Sequence, residues 1–395
     1  MFSNRTGWNL EPNRFAESLA RQRARGKQLL DLTASNPTKV GLHYDAARIV
    51  DAFSNPAALS YDPEPKGLLP AREAVSAYYR SRVDASRNLP APNPDHIILT
   101  TSTSEAYSYV FRLLCNAGDE VLVPSPSYPL FQFLADLQDV RLVSFELFYD
   151  HGWQIDFHSL ERALSSKSRA IILVNPNNPT GSYIHEPEIR RLNEICRARG
   201  LALIVDEVFL DFALDGEVRT SFALNREALT FTLSGLSKIA GLPQMKLAWL
   251  AVSGDTKQQQ EALARLEVIA DTYLSVSTPV QIATPVLLGT RYEFQRQLCR
   301  RIQTNLAELD RQVAGQEICS RLLIEGGWYA ILRVPSTRPD EELVICLLEE
   351  RQILVHPGHF YDFHSEGYLV VSLITPEAEF AAGIRELLSF VGASS

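Results

Sequence analysis

From about residue 95, apolar and polar positions settle into a regular alternation. "HIILTT" reads as a short strand, and "SEAYSYVFRLLCNAG" as a helix closed by Gly118. "DEVLVPSPSYP" is a strand entering a proline-rich turn, "PLFQFLADLQ" a helix and "VRLVSFEL" a strand. "SLERALSS" is a short helix, and "RAIILVNP" a strand running into "NNPTG". "EPEIRRLNEICRARG" is a helix with an early proline and Gly200 at its end. "LALIVDEVF", "LTFTLSG" and "LAWLAVS" are three further strands. Short apolar strands alternating with helices predict an α/β domain, its mainly parallel sheet covered by helices on both faces.

The pattern then changes. A long helix, "TKQQQEALARLEVIADTYL", leads to a second, "RRIQTNLAELDRQVA". Strands "WYAILRV" and "YLVVSLI" follow, flanking another helix, which predicts a smaller α+β domain. The first 45 or so residues carry too little sheet to stand alone and are expected to join it. The expected division is a large domain over 48–288 and a small domain from 1–47 and 289–395.

Length supports two units, since 395 residues exceed what one compact core usually holds. Composition adds exclusions. The net charge of −9 argues against a nucleic-acid footprint. No apolar stretch approaches the roughly 20 residues that span a bilayer, and "MFSNRTGWNLEPNRF" has no apolar leader region. Five cysteines, scattered and without CxxC spacing, read as reduced thiols of a cytoplasmic protein.

Candidate chemistry sits at the strand ends, where open α/β sheets bind ligands. Those ends hold "TTSTSEA" (100–106), "PSPSYP", "NPNNPTG", "DEVF" and "SGLSK". The hydroxyl-rich 100–106 segment opens a helix, so it suits a phosphate, although N-capping alone also explains it. Asp206 ends a strongly apolar strand and needs a cationic partner or several donors; a structural ion pair would also serve. Lys238 stands between two apolar strands, where an ammonium is costly unless it reaches solvent or performs chemistry. Together, an amine, a buried acid and a phosphate cradle are what pyridoxal 5'-phosphate requires.

At these residues the chain resembles the class I and II aminotransferases, pyridoxal phosphate enzymes of fold type I. The resemblance runs from "LTASNPT" (32–38) to "HPGHFYDF" (356–363), and "GLSK…GLPQMK" is most similar to the alanine and kynurenine aminotransferase branches. It implies transfer of an amino group between an amino acid, or a related amine, and a 2-oxo acid. Lys238 matches the Schiff-base lysine and proton carrier, Asp206 the acid at the pyridine nitrogen, Asn178 the donor to the ring's O3', and Tyr128 the aromatic stacked on the ring. Thr103 and Ser104 match the phosphate-holding helix start, with Ser237 and Lys246 as further phosphate ligands. Tyr61 matches a tyrosine that reaches the neighbouring subunit's phosphate, which implies a homodimer with shared sites. Ser35 and Asn36 fall in the segment that closes over substrate.

Three positions depart from the family pattern. Lys246 replaces arginine, a point charge for a bidentate fork. Phe209 replaces a tyrosine that donates to O3'. The substrate-carboxylate arginine is expected near Val370, yet "YLVVSLI" has none; Arg333 is the candidate replacement, and a surface salt bridge is its plain alternative. These departures leave open a lyase, decarboxylation or substitution reaction on an atypical substrate. "HPGHFYDFH", with His356, His359 and His364, fits no zinc spacing, so no metal is expected.

Overall fold

The computed structural model describes residues 1–82, 88–274 and 276–393. Eight strands form one large sheet. Their spatial order is Ile97–Thr100, Ala248–Ser253, Thr230–Gly235, Ala202–Asp206, Ser168–Val174, Glu120–Ser125, Arg141–Tyr149 and Trp153–Ile155. The five strands from Thr230–Gly235 to Arg141–Tyr149 pair in parallel. Ala248–Ser253 runs antiparallel to both neighbours. The reversal follows from the connection 236–247, which holds only a four-residue helix, Leu236–Ile239, and one 3₁₀ turn, Pro243–Met245. A parallel crossover needs a longer covering element.

The five strands from Ala248–Ser253 to Glu120–Ser125 are largely buried on both faces, as their continuous apolar runs require. One face packs Ile172, Ile204, Phe231 and Leu250 against Tyr107, Val110 and Phe111 of helix Thr103–Leu114. The other packs Leu173, Leu203 and Val205 against Leu192 and Ile195 of helix Glu186–Arg199. That helix ends as expected at Gly200, whose φ of 66° is the left-handed C-cap conformation.

A second sheet of four antiparallel strands orders Ser320–Arg321, Tyr329–Arg333, Tyr368–Ser372 and His356–Pro357. Helices Arg291–Val313, Asp340–Arg351 and Glu377–Ala393 bury their apolar faces in the same core as this sheet. The amino-terminal segment joins it, because Leu30–Asp31 pairs in parallel with Ile353–Leu354. The Ser372 N–H donates to the Leu32 carbonyl at 2.7 Å and its hydroxyl to the Ala34 carbonyl at 2.5 Å, which fixes the start of "TASNPT". No helix among the described residues is long and apolar enough to cross a membrane.

Candidate active site

A cavity of about 440 Å³ opens where the carboxyl ends of the parallel strands meet the second sheet. Thr103 and Ser104, Val174 and Asn178, Asp206, Gly235 and Lys238 each enter from a different strand end, and Ala248 from the start of the reversed strand.

Lys238 lies within the short helix Leu236–Ile239. Gly235 approaches the neighbouring strand so closely that a Cβ there would meet Ala248 Cβ at 2.9 Å. That close approach lets the chain turn with Lys238 inside. The Lys238 Nζ stands 4.9 Å from the Trp328 ring centre and 5.6 Å from that of Phe209. Burial pushes its pKa down to about 8, against the pull of Asp206, which acts to raise it. Burial also pushes Asp206 up to about 6. Its carboxylate accepts from the Val208 N–H at 3.1 Å and from the Tyr107 hydroxyl at 3.4 Å, and both bonds oppose that rise. A half-buried amine and a half-buried acid thus share one cavity, each with its charged form disfavoured by desolvation.

The helix Thr103–Leu114 begins at the cavity. Ser102 caps it, its hydroxyl accepting from the Glu105 N–H at 3.1 Å, while the Ala106 N–H reaches the Ser102 carbonyl. The N–H groups of Thr103 and Ser104 have no protein acceptor among the described residues, which suits an anion at that end.

Asn178 belongs to the turn after Ser168–Val174. Its neighbour Asn177 is absorbed by the protein, donating to the Pro126 carbonyl and to the Thr180 hydroxyl. Asn178 instead lines the cavity, and its Oδ1 is buried with no partner. The turn is clamped from the second sheet. Gly181 has φ 69°, and its carbonyl accepts from the Gly326 N–H at 2.9 Å. A Cβ on Gly181 would lie 2.5 Å from the Gly326 oxygen, so no side chain fits. That contact ties Asn178 to the segment bearing Trp328 and Tyr329.

Tyr128, Phe209, Ser237 and Ser35 also line the cavity. Phe209 packs edge-on against Trp328 at 5.1 Å. Other expected residues stand outside the lining. Lys246 is exposed at the base of the Lys238 loop, with φ 52°. Tyr61 is 67% exposed on the surface. Asn36 is spent on a cap, accepting from the Thr38 N–H and hydroxyl. Arg333 is not brought to the site. Tyr329, at the start of its strand, lines the cavity, and Arg333 lies four residues further along, about 13 Å away, exposed.

Sequence reasoning missed Tyr329, His356, Phe360 and Tyr361 in the cavity lining, and Tyr107 and Trp328 beside Asp206 and Lys238. Tyr107 was legible as one helical turn beyond Thr103. Trp328 and Tyr329 carried no motif, and His356, Phe360 and Tyr361 fell in "HPGHFYDF", where the resemblance ends, without a role being read for them. The three histidines go separate ways. His356 Nδ1 bonds the Tyr361 hydroxyl at 3.0 Å, His359 packs on Phe360, and His364 pairs with Glu146 at 2.8 Å. Among the described residues, no group of three His, Cys, Asp or Glu side chains is placed to hold a metal.

A model of the family "Aminotransferase class I and II" matches residues 28–384. The glutamate-pyruvate aminotransferase AlaA of Haemophilus influenzae is 27% identical over 377 residues, covering 93% of this chain and 91% of that protein. The alanine aminotransferase of Mycobacterium tuberculosis is 27% identical over 383 residues, covering 94% of this chain and 87% of its own length. Among solved structures, the alanine aminotransferase of Pyrococcus furiosus superposes with a TM-score of 0.87 at 19% identity, each chain covered in full. An aminotransferase of Escherichia coli superposes with a TM-score of 0.86 at 22% identity, over 99% of this chain and 98% of that one. The chain belongs to the class I and II aminotransferases, and it is a pyridoxal phosphate-dependent transaminase.

Proposed function

We propose that this cavity is the transamination site and that Lys238 and Asp206 are its working pair. The observation that carries the reading is that both half-buried side chains line one cavity, where desolvation lowers the lysine to about 8 and raises the acid to about 6. When bound, the pyridoxal group supplies an electrophilic carbonyl carbon and an electron sink. The protein's residues supply the rest. At pH 7 a lysine of pKa about 8 is uncharged in roughly one molecule in ten, far more often than a solvated one. Lys238 is therefore available as the amine that holds the cofactor and, once displaced, as the base that moves a proton. Asp206 offers a carboxylate to a protonated ring nitrogen, and that positive charge offsets the desolvation that raises its own pKa.

Asn178, which lines the cavity, offers its amide N–H to the cofactor's ring oxygen, and the free N–H groups of Thr103 and Ser104 fit its phosphate. Tyr128 covers one ring face, and Ser237 adds a hydroxyl at the phosphate end. Lys246 acts there from the exposed loop, by charge rather than direct contact. Tyr61 serves the partner subunit of a homodimer, for which its exposure among Leu59 and Leu69 is support. The large domain over 48–288 carries the cofactor, the remainder forms the substrate side, and the protein works in the cytoplasm. The amino donor is an amino acid or a related amine and the acceptor a 2-oxo acid, a reaction class that the relatives' names, alanine and glutamate-pyruvate aminotransferase, support.

The test is the half-reaction. Wild-type holoenzyme mixed with an amino donor yields pyridoxamine phosphate and an oxo product. Lys238→Ala slows this by about 10³-fold or more. An alanine variant that turns over at the wild-type rate refutes the assignment.

A further inference from the structure

The substrate side of the cavity lacks the charge that an amino acid's carboxylate requires. Val370 is 1% exposed in the middle of its sheet. It stands directly opposite Ile331 on one side and His356 on the other. Directly opposed residues in an antiparallel ladder share a face. The same face carries Tyr329, two residues before Ile331, and both Tyr329 and His356 line the cavity. The position where the family pattern places a guanidinium is thus apolar, and the side chain across the ladder enters the cavity instead.

That side chain is neutral. Burial pushes the His356 pKa down to about 4, although the charge of Asp31 acts to raise it. Its Nδ1 lies 3.0 Å from the Tyr361 hydroxyl. If the hydroxyl donates, the imidazole keeps its Nε2–H; if Nδ1–H donates, the hydroxyl keeps its own proton. In either tautomer the pair retains one proton to give to a ligand. Among the described residues no arginine lines the cavity, and its one lysine is Lys238. A carboxylate entering there is desolvated with only neutral donors in return, the His356–Tyr361 pair and the hydroxyls of Tyr329 and Ser35, whereas a neutral acceptor loses far less on leaving water.

Resting on the transamination reading, we propose that this site takes primary amines whose amine-bearing carbon carries a neutral polar group, a carboxamide or hydroxymethyl, and that His356 and Tyr361 recognise that group. The reaction remains internally balanced. With the cofactor bound, the C–H and C–N bonds at the amine carbon would break, Lys238 would carry the released proton to the cofactor's carbonyl carbon, and that carbon would also receive the electron pair and the nitrogen as an aminomethyl group. Water supplies the oxygen of the new carbonyl, Lys238 is regenerated free, and no external oxidant is needed.

The experiment mixes holoenzyme in single turnover with alaninamide, alaninol and alanine. It follows the cofactor's visible absorbance and quantifies pyridoxamine phosphate. The expected result is that alaninamide and alaninol exceed alanine by about tenfold or more in rate per concentration. Tyr361→Phe lowers that advantage, His356→Gln keeps it by retaining a neutral donor, and His356→Arg shifts it toward alanine. As a readout without turnover, calorimetry of the holoenzyme finds lactamide bound more tightly than lactate. Alanine reacting faster than both neutral amines, or lactate binding more tightly, overturns the substrate class and leaves transamination standing. Absence of pyridoxamine phosphate with all three amines overturns the transamination reading itself.

Discussion

The two ends of the cavity are built differently. At the cofactor end, Asp206, Asn178, Thr103 and Lys238 sit at ends of strands in one rigid sheet, and a turn clamped by Gly181 holds the amide in place. At the substrate end, Ser35, Tyr329, His356 and Tyr361 come from an amino-terminal loop and a small four-stranded sheet. The first end matches the expected family pattern at Lys238, Asp206 and Asn178 and departs from it at Lys246 and Phe209, whereas the second has no arginine where one is expected, near Val370. On the function proposed above, the chemistry common to transaminations is anchored in the sheet, and the parts that choose a substrate hang on elements that can change without disturbing it.

The largest effect belongs to the cofactor end. Asp206→Asn removes the charge facing the ring nitrogen and lowers the half-reaction rate by about 10²-fold, measured by rapid mixing with the cofactor bound. An unchanged rate erases the distinction between the two ends. Next in size is a stability effect in the cofactor-free chain. The folded Lys238 pKa, about 8, lies below the unfolded value of 10.5, so the unfolded chain binds more protons between those limits. Stability then rises with pH through that window, and the full penalty applies below it. Lys238→Met removes a penalty of roughly 3 kcal/mol at pH 7, less what Asp206 loses with its cationic neighbour. Denaturant melts should show the variant more stable at pH 7 and the gap closing toward pH 10.5; a variant that is less stable at pH 7 contradicts the burial argument.

Phe209 lies at the junction of the two ends. Phe209→Tyr restores a hydroxyl toward the ring oxygen, and the midpoint of the holoenzyme's visible pH titration should fall by about one unit. No movement would mean that Asn178 alone satisfies that oxygen. The smallest effect is at the substrate end. Ser372→Ala frees the Ala34 carbonyl, costing about 1 kcal/mol of stability, and should raise the amine KM more than it lowers kcat, since Ser35 follows Ala34 into the cavity.

This contrast also sets what the sequence could reveal. The helix from Glu186 to Gly200 and the strands around Ile172, Ile204 and Phe231 were legible because burial on both faces makes continuous apolar runs, and because Gly200 punctuates its helix. Asp206 and Lys238 stood out because a charge bounded by such runs is costly and must be used. The antiparallel direction of Ala248–Ser253 was not legible, since its apolar run is that of any buried strand. Nor was the pairing of His356 with Val370, 14 positions apart, which depends on the register of two strands and on no local pattern. Arg333 failed for the same reason: strand periodicity puts it on the face of Tyr329, but distance along the strand carries it away from the cavity.

The central claim is that Lys238 is the amine that holds the cofactor. Borohydride reduction of the holoenzyme, followed by peptide mapping, tests it directly. A single phosphopyridoxyl group on Lys238 and loss of the visible absorbance are expected. A label on Lys246 or any other lysine would contradict it.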